Sequence, residues 1–341
     1  MRRELLRNCS SAFLSRPRRR SLHVSTPSCR NRLLFEPCEV SRDEASGRLQ
    51  SLLAPTDSRA VHINTILRSA SGQTLRVGVV DGRRGTATLL RCASSPDSSL
   101  RLVWDEHTEP ALPPPLVDLL LAVPRPKALL RLLSHAAALG VGQITLCGAQ
   151  RVEPSFYGAH QLSPAAMREA CLKGVEQAGD TRLPSVFFSR RFPPAADAAA
   201  GRRSWPCGDG FSWLVGANND AEGLPPAFVL VAHPSRDPSA PAGVAAALAG
   251  SARTPNGRVL VAVGPEGGWS DHELRVLMGE RSVRQCFDKV PAQGAECHAE
   301  NSDAEATGGG AAIVSLGSRT LTTETAVVAL LAAVKEATHG W

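Results

Sequence analysis

The sequence predicts an α/β protein in which a parallel sheet covered by helices follows a smaller β-rich unit. Beyond Pro113, Pro114 and Pro115, short apolar runs alternate with segments of helical periodicity, the pattern of a parallel sheet. Two of these runs, 259–274 and 314–334, pass from strand through a glycine turn into a helix. They therefore place loops at the carboxyl ends of strands, where open α/β sheets hold their ligands. Ahead of the prolines, β-branched segments separated by turn residues lack the intervening long helices.

The first unit, 31–110, starts at NRLLFEPCEV (31–40), and 61–68 is a short amphipathic segment bordered by Arg59 and Arg68. Residues 74–80 and 86–91 form a hairpin around Asp81, Gly82 and Gly85, and 100–104 is a further strand. Arg68, Arg76, Arg83, Arg84, Arg91 and Arg101 make this unit a solvated basic face or an RNA contact; no aromatic platform accompanies them. The second unit, 111–341, has strands at 116–122, 143–146, 185–188, 228–232, 259–263 and 313–315, with helices at 127–139, 163–178 and 243–252. Segments 200–222 and 292–312 lack periodicity and are expected as inserted surface loops.

At 341 residues the chain has room for two cores. Its apolar runs are too short to predict a membrane-spanning helix. The net charge of +6 is misleading about partners, because residues 1–30 carry eight arginines against Glu4 alone and leave the remainder at −1. That basic, serine-containing start, with Leu5, Leu6, Phe13 and Leu14 interspersed, predicts an organelle transit peptide, with a basic RNA-binding arm as the alternative. A mitochondrial matrix location is expected, or else a plastid stroma. The nine cysteines show no C-x-x-C and no zinc spacing, so no metal site is expected and a reducing compartment suits them.

The first corner, GPEGGWSDHEL from Gly264, lacks the lysine of a phosphate loop and the G-x-G-x-x-G of a dinucleotide turn, and no nucleophile elbow exists elsewhere. Gly264, Gly267 and Gly268 permit close main-chain approach, Pro265 fixes the turn, and Glu266 sets one carboxylate at its tip. Ser270 followed by Glu273 is a helix-capping signature. The second corner repeats this grammar through Leu316 and Gly317, with Arg319 and Glu324 before a helix of small and apolar residues.

Together the corners resemble the RsmE family of SPOUT-class methyltransferases, whose pattern is G-P-E-G-G-x-[ST]-x-x-E followed by L-G-x-R-I-L-R-x-E-T-A. The first motif is matched throughout Gly264 to Glu273, and the second at Leu316, Gly317, Arg319, Leu321, Glu324, Thr325 and Ala326. Further similarities run in order along the chain: Arg32 with Phe35 and Pro37, His62 to Arg68, Leu139 to Val141, Arg151, the stretch from Glu176 to Pro184, and Val231 with His233 and Pro234.

The resemblance implies a PUA-like RNA-binding barrel ahead of a trefoil-knotted SPOUT domain, a homodimer, and S-adenosylmethionine as cofactor. It implies methylation of N3 of a uridine in small-subunit ribosomal RNA. A catalytically weak ribosome-assembly factor, or a SPOUT enzyme for another base, is the alternative. By the same resemblance Val231, His233, Val263, Gly264, Pro265, Glu266, Gly267, Gly268, Leu316, Gly317, Leu321 and Thr325 would hold the cofactor. Arg319 would stabilise charge developing on the uracil, with Glu266 or Glu324 orienting it or accepting its proton; Arg32, Arg68, Arg151 and Arg182 would meet RNA. The chain departs from the family at Thr322, His135, Ala138 and Asp180, each replacing a charged family residue.

Overall fold

The computed structural model describes residues 31–91, 99–110, 112–192, 228–233, 243–249, 258–278 and 310–338. The transit-peptide segment, the 200–222 insertion and residues 292–309 lie outside the described residues.

One mixed sheet is built from β1 (Leu33–Phe35), β2 (Ser41–Arg42), β3 (Leu49–Leu53), β4 (Thr74–Val79), β5 (Arg84–Arg91) and β6 (Leu100–Glu109), in the order β1-β4-β5-β6-β3-β2. Its pairs are antiparallel except β1 with β4. Alternation decides which face is covered: Leu100, Leu102 and Trp104 are buried while Arg101 and Val103 between them are partly exposed. The Trp104 indole meets Phe35 edge-on at 5.8 Å, and its Nε1 donates to Ser51 Oγ at 3.1 Å. The amphipathic segment at 61–68 is a helix, α1 (Ser58–His62) running into a π-turn over Ile63–Leu67, and it ends at Arg68 in the left-handed region. Strands β2 and β3 were not expected from the sequence, since LQSLL is too short to show its period and only its pairing with β6 settles it.

The second sheet contains β7 (Val117–Ala122), β8 (Gln143–Cys147), β9 (Ser185–Ser189), β10 (Phe228–Ala232), β11 (Val259–Val263) and β12 (Gly310–Val314), all parallel, in the order β12-β10-β11-β7-β8-β9. Strands β7, β8 and β11 are buried throughout, as expected where helices cover both faces. The helices are α2 (Pro126–Ala138), α3 (Pro164–Ala178), α4 (Val244–Ala249), α5 (Asp271–Leu277) and α6 (Thr323–Ala337). Helices α2 and α3 cross closely because Gly174 has no side chain; a Cβ there would lie 2.1 Å from the Ser134 carbonyl oxygen. Residues 310–312, expected in a loop insertion, instead begin β12 and pair with Phe228, Val229 and Leu230. Small residues at the end of a polar segment read as loop, and the neighbouring strand overrides them.

The two sheets are joined at a buried seam. Arg32, fully buried, donates from Nε to Gly179 O (2.9 Å), from Nη1 to Val77 O (2.7 Å) and Gly85 O (3.0 Å), and from Nη2 to Glu109 Oε2 (2.6 Å). Burial lowers its pKa, against the raising effect of Glu109. Arg32 therefore does not meet RNA, as the motif had implied: its guanidinium is spent on the last turn of one unit and the strands of the other. Asp81 continues the seam, donating its N–H to Thr181 O (2.8 Å) while Oδ1 accepts from Leu183 N–H (2.8 Å). Replacing Arg32 by Met strands three carbonyls and removes the nearest cation from Glu109, which keeps Arg84 at 3.3 Å and Arg76 at 4.0 Å. The expected loss is about 2–4 kcal/mol, read as a lowered Tm, and Arg32→Lys should recover little of it because one ammonium cannot span the same acceptors.

Candidate active site

Three neighbouring strands end at one level. Ala232, the last residue of β10, pairs with Val263 of β11 on one side and Val314 of β12 on the other. Past these ends lies a cleft open to solvent, lined by His233, Gly264 to Glu266, Gly268, Ser315 to Gly317, Arg319 to Leu321 and the start of α6.

The first corner turns tightly, Gly268 N–H donating to Pro265 O (2.7 Å) with Gly268 at φ +75°. Gly264 must lack a side chain because the buried Trp269 indole lies against it; three ring atoms would be 3.2 Å from a Cβ. The capping box forms as the sequence predicts, Glu273 Oε2 accepting from Ser270 N–H at 2.8 Å. Its other oxygen accepts Gln150 N–H at 2.7 Å, so one buried carboxylate ties the loop after β8 to the loop after β11. Arg151 adds to the tie by donating from Nη1 to Gly267 O at 2.6 Å. In the second corner Gly317 takes φ +106°, with no atom of the described residues within 4 Å of where its Cβ would be. Thr322, at the position of a family arginine, is the N-cap of α6 and accepts from Thr325 N–H (3.3 Å).

The cleft is apolar at Val263, Leu316, Leu321, Ala326 and Leu330, with His233, Glu266 and Arg319 as its ionisable groups. Glu266 pairs with Arg125 at 2.6 Å, both more than half exposed. The His233 pKa is lowered, first by burial and then by Arg151, with Asp271 opposing. Its Nδ1 is buried without a partner among the described residues. Among the described residues no group of His, Cys, Asp or Glu is arranged to hold a metal, and no helix is long and apolar enough to cross a membrane.

The structure brings Arg319, Glu266, His233, Val263, Gly264, Pro265, Gly268, Leu316, Gly317 and Leu321 together, as expected. Other positions differ. Glu324 is not on the cleft wall but pairs with Arg131 of α2 at 2.9 Å, at the start of α6. Val231 is buried within β10, Gly267 uses its carbonyl on Arg151, and the Thr325 hydroxyl meets Thr322 at 3.0 Å. Arg68 is exposed on the first unit, Arg182 is half-buried, and Arg151 braces the corner while staying exposed. Arg125 and Arg131 were missed because nothing local marks a partner so far along the chain.

A parallel sheet with its cleft at the strand ends, walled by two glycine corners, defines a class. The model of the RNA methyltransferase domain family matches residues 112–285, just over half of the chain, and the chain belongs to that family. Among its relatives, the ribosomal RNA small subunit methyltransferase E of Treponema pallidum is 31% identical over 161 residues, 47% of this chain and 56% of that protein. The match thus spans little more than half the length of that relative. The crystal structure of a ribosomal RNA small subunit methyltransferase E from Neisseria gonorrhoeae, bound to S-adenosyl methionine, is similar at a TM-score of 0.55 and 19% identity, covering 90% of this chain and 97% of that one. A Legionella pneumophila protein described as a methyltransferase, with bound cofactor, gives 0.54 at 18%, covering 90% and 97%. The fold is the SPOUT methyltransferase fold that the motifs implied.

Glu273→Gln replaces an acceptor oxygen by an NH2 facing a backbone N–H. It should cost about 1–3 kcal/mol in chemical denaturation, and Glu273→Asp, too short to reach Gln150, should do no better.

Proposed function

We propose that this chain is an S-adenosylmethionine-dependent methyltransferase acting on N3 of a uridine in small-subunit ribosomal RNA. The observation that carries it is the single cleft in which both glycine corners meet at the ends of β10, β11 and β12. The residues fit the cofactor: the backbone beside Gly317 is clear of the other described residues, and the walls are apolar with few ionisable groups. Main chain at Leu316, Gly317 and Leu321 would take the adenine, and Gly264 to Gly268 with His233 the methionine end. The cofactor supplies a methyl group carried on a sulfonium.

Uracil N3 is a poor nucleophile until its proton leaves, so this chain's part is to align the base and favour the anion. Arg319, exposed at the cleft, stabilises negative charge on a uracil oxygen. Glu266 is the carboxylate on the cleft wall for orientation or proton acceptance, once it leaves Arg125. The β-rich unit is read as a PUA-like RNA-binding domain, the backbone as knotted, the working form as a homodimer, and the location as an organelle, mitochondrial matrix before plastid stroma.

Reverse transcription of organellar small-subunit rRNA tests the target, because N3 methylation blocks the base-pairing edge. A stop at one uridine should be present with the gene and absent without it; an unchanged stop pattern rejects uridine N3.

The lowered His233 pKa fixes a pH dependence. The ring is neutral above the ordinary histidine value of about 6.5, so its contribution to stability is intact there and is lost as pH falls toward its lowered folded value. A protonated ring also repels a sulfonium. Calorimetric affinity for S-adenosylmethionine should hold steady from neutral pH upward and weaken on acidification, and His233→Asn should flatten that profile.

A further inference from the structure

Across the glycine corner from the cleft lies a second cavity of about 310 Å3, lined by Gln150, Tyr157, Arg190, Phe192, Ser270, His272 and neighbours. Its floor is buried Ser270 and Glu273, and both Glu273 oxygens are already engaged by backbone N–H groups. These bonds come from neutral donors and leave the carboxylate charged, so an anionic group would sit at the basic rim rather than on the floor.

The walls are aromatic and the rim is basic. Tyr157 and Phe192 are half-buried, each leaving ring surface accessible. Phe192 leans on Trp269 with centroids 5.5 Å apart. Arg190 sits over the Tyr157 ring, its Cζ 6.0 Å from the centroid, and donates to Tyr157 O at 3.3 Å. Arg190 and Arg191 are exposed, and neither is ion-paired with a carboxylate among the described residues. Aromatic faces beside unpaired arginines are the elements with which proteins hold single-stranded nucleic acid.

The spacing links the two cavities. Gly268 lines the cleft and Ser270 lines the second cavity, and residues two apart are separated by at most about 7 Å.

We propose that the second cavity seats the nucleotide adjacent to the methylated one, its base against Tyr157 and Phe192 and its phosphate on Arg190. This rests on the methyltransferase reading above. The test uses the full chain, a fluorescein-labelled seven-nucleotide uridine-rich RNA followed by anisotropy, and S-adenosylmethionine followed by calorimetry. Arg190→Glu and Tyr157→Leu should each weaken RNA binding about tenfold or more, with cofactor affinity within about twofold of wild type. Arg190→Gln should reduce the slope of log affinity against log salt by about 0.7, one phosphate contact on a single strand. If Tyr157→Leu does not fold, the exposed Arg190 variants decide. RNA affinity unchanged in those variants while cofactor still binds overturns the proposal alone, including the case in which another segment of the chain fills the cavity. Failure of the wild-type chain to bind the cofactor overturns the methyltransferase reading instead.

Discussion

The register of three parallel strands is the constraint on which the site depends. Because Ala232 stands level with both Val263 and Val314, the backbone leaves the sheet at one height on β11 and β12 and both corners face the same space. A slip of one residue in either ladder would turn every side chain of that strand to the other face and carry its glycine corner away from the cleft. The apolar, β-branched composition of β10 and β11, FVLVA and VLVAV, keeps both strands in the middle of the sheet, buried on both faces.

Rigidity at the first corner comes from outside it. A glycine-rich turn loses much backbone freedom on ordering, and here the turn is fixed by Trp269 packed against Gly264 and by Glu273 and Arg151 tying it to the loop after β8. The second corner has fewer such ties: Leu316 and Leu321 stay more than a third exposed, and its start into α6 relies on the Thr322 cap. The corners are alike in sequence grammar and unlike in support, which places adaptability on the α6 side.

Much of this was legible in the sequence. Strands β10 and β11 and the start of α3 at Ser163 fall where periodicity and capping place them, and the two corners meet as their shared grammar suggests. What escaped was decided by partners distant in the chain. Arg32 resembles an RNA-binding arginine by motif and is a buried tie by environment; Glu324 resembles a catalytic carboxylate and is held by Arg131, almost two hundred positions away. Strand β12 starts inside a stretch whose composition reads as loop, because pairing with β10 outweighs propensity. Charge and motif identify which residue types are available, whereas burial and long-range pairing decide what each one does.

The Arg32 seam also bears on how the molecule comes apart. Its donors hold β4, β5 and β6 of one sheet and the end of α3 on the other, so neither unit can open at this point without stranding groups in its neighbour. Two units joined only by a proline linker would melt in separate steps. Sharing one buried cation works against such separate melting, because opening either unit leaves part of the network without its partner.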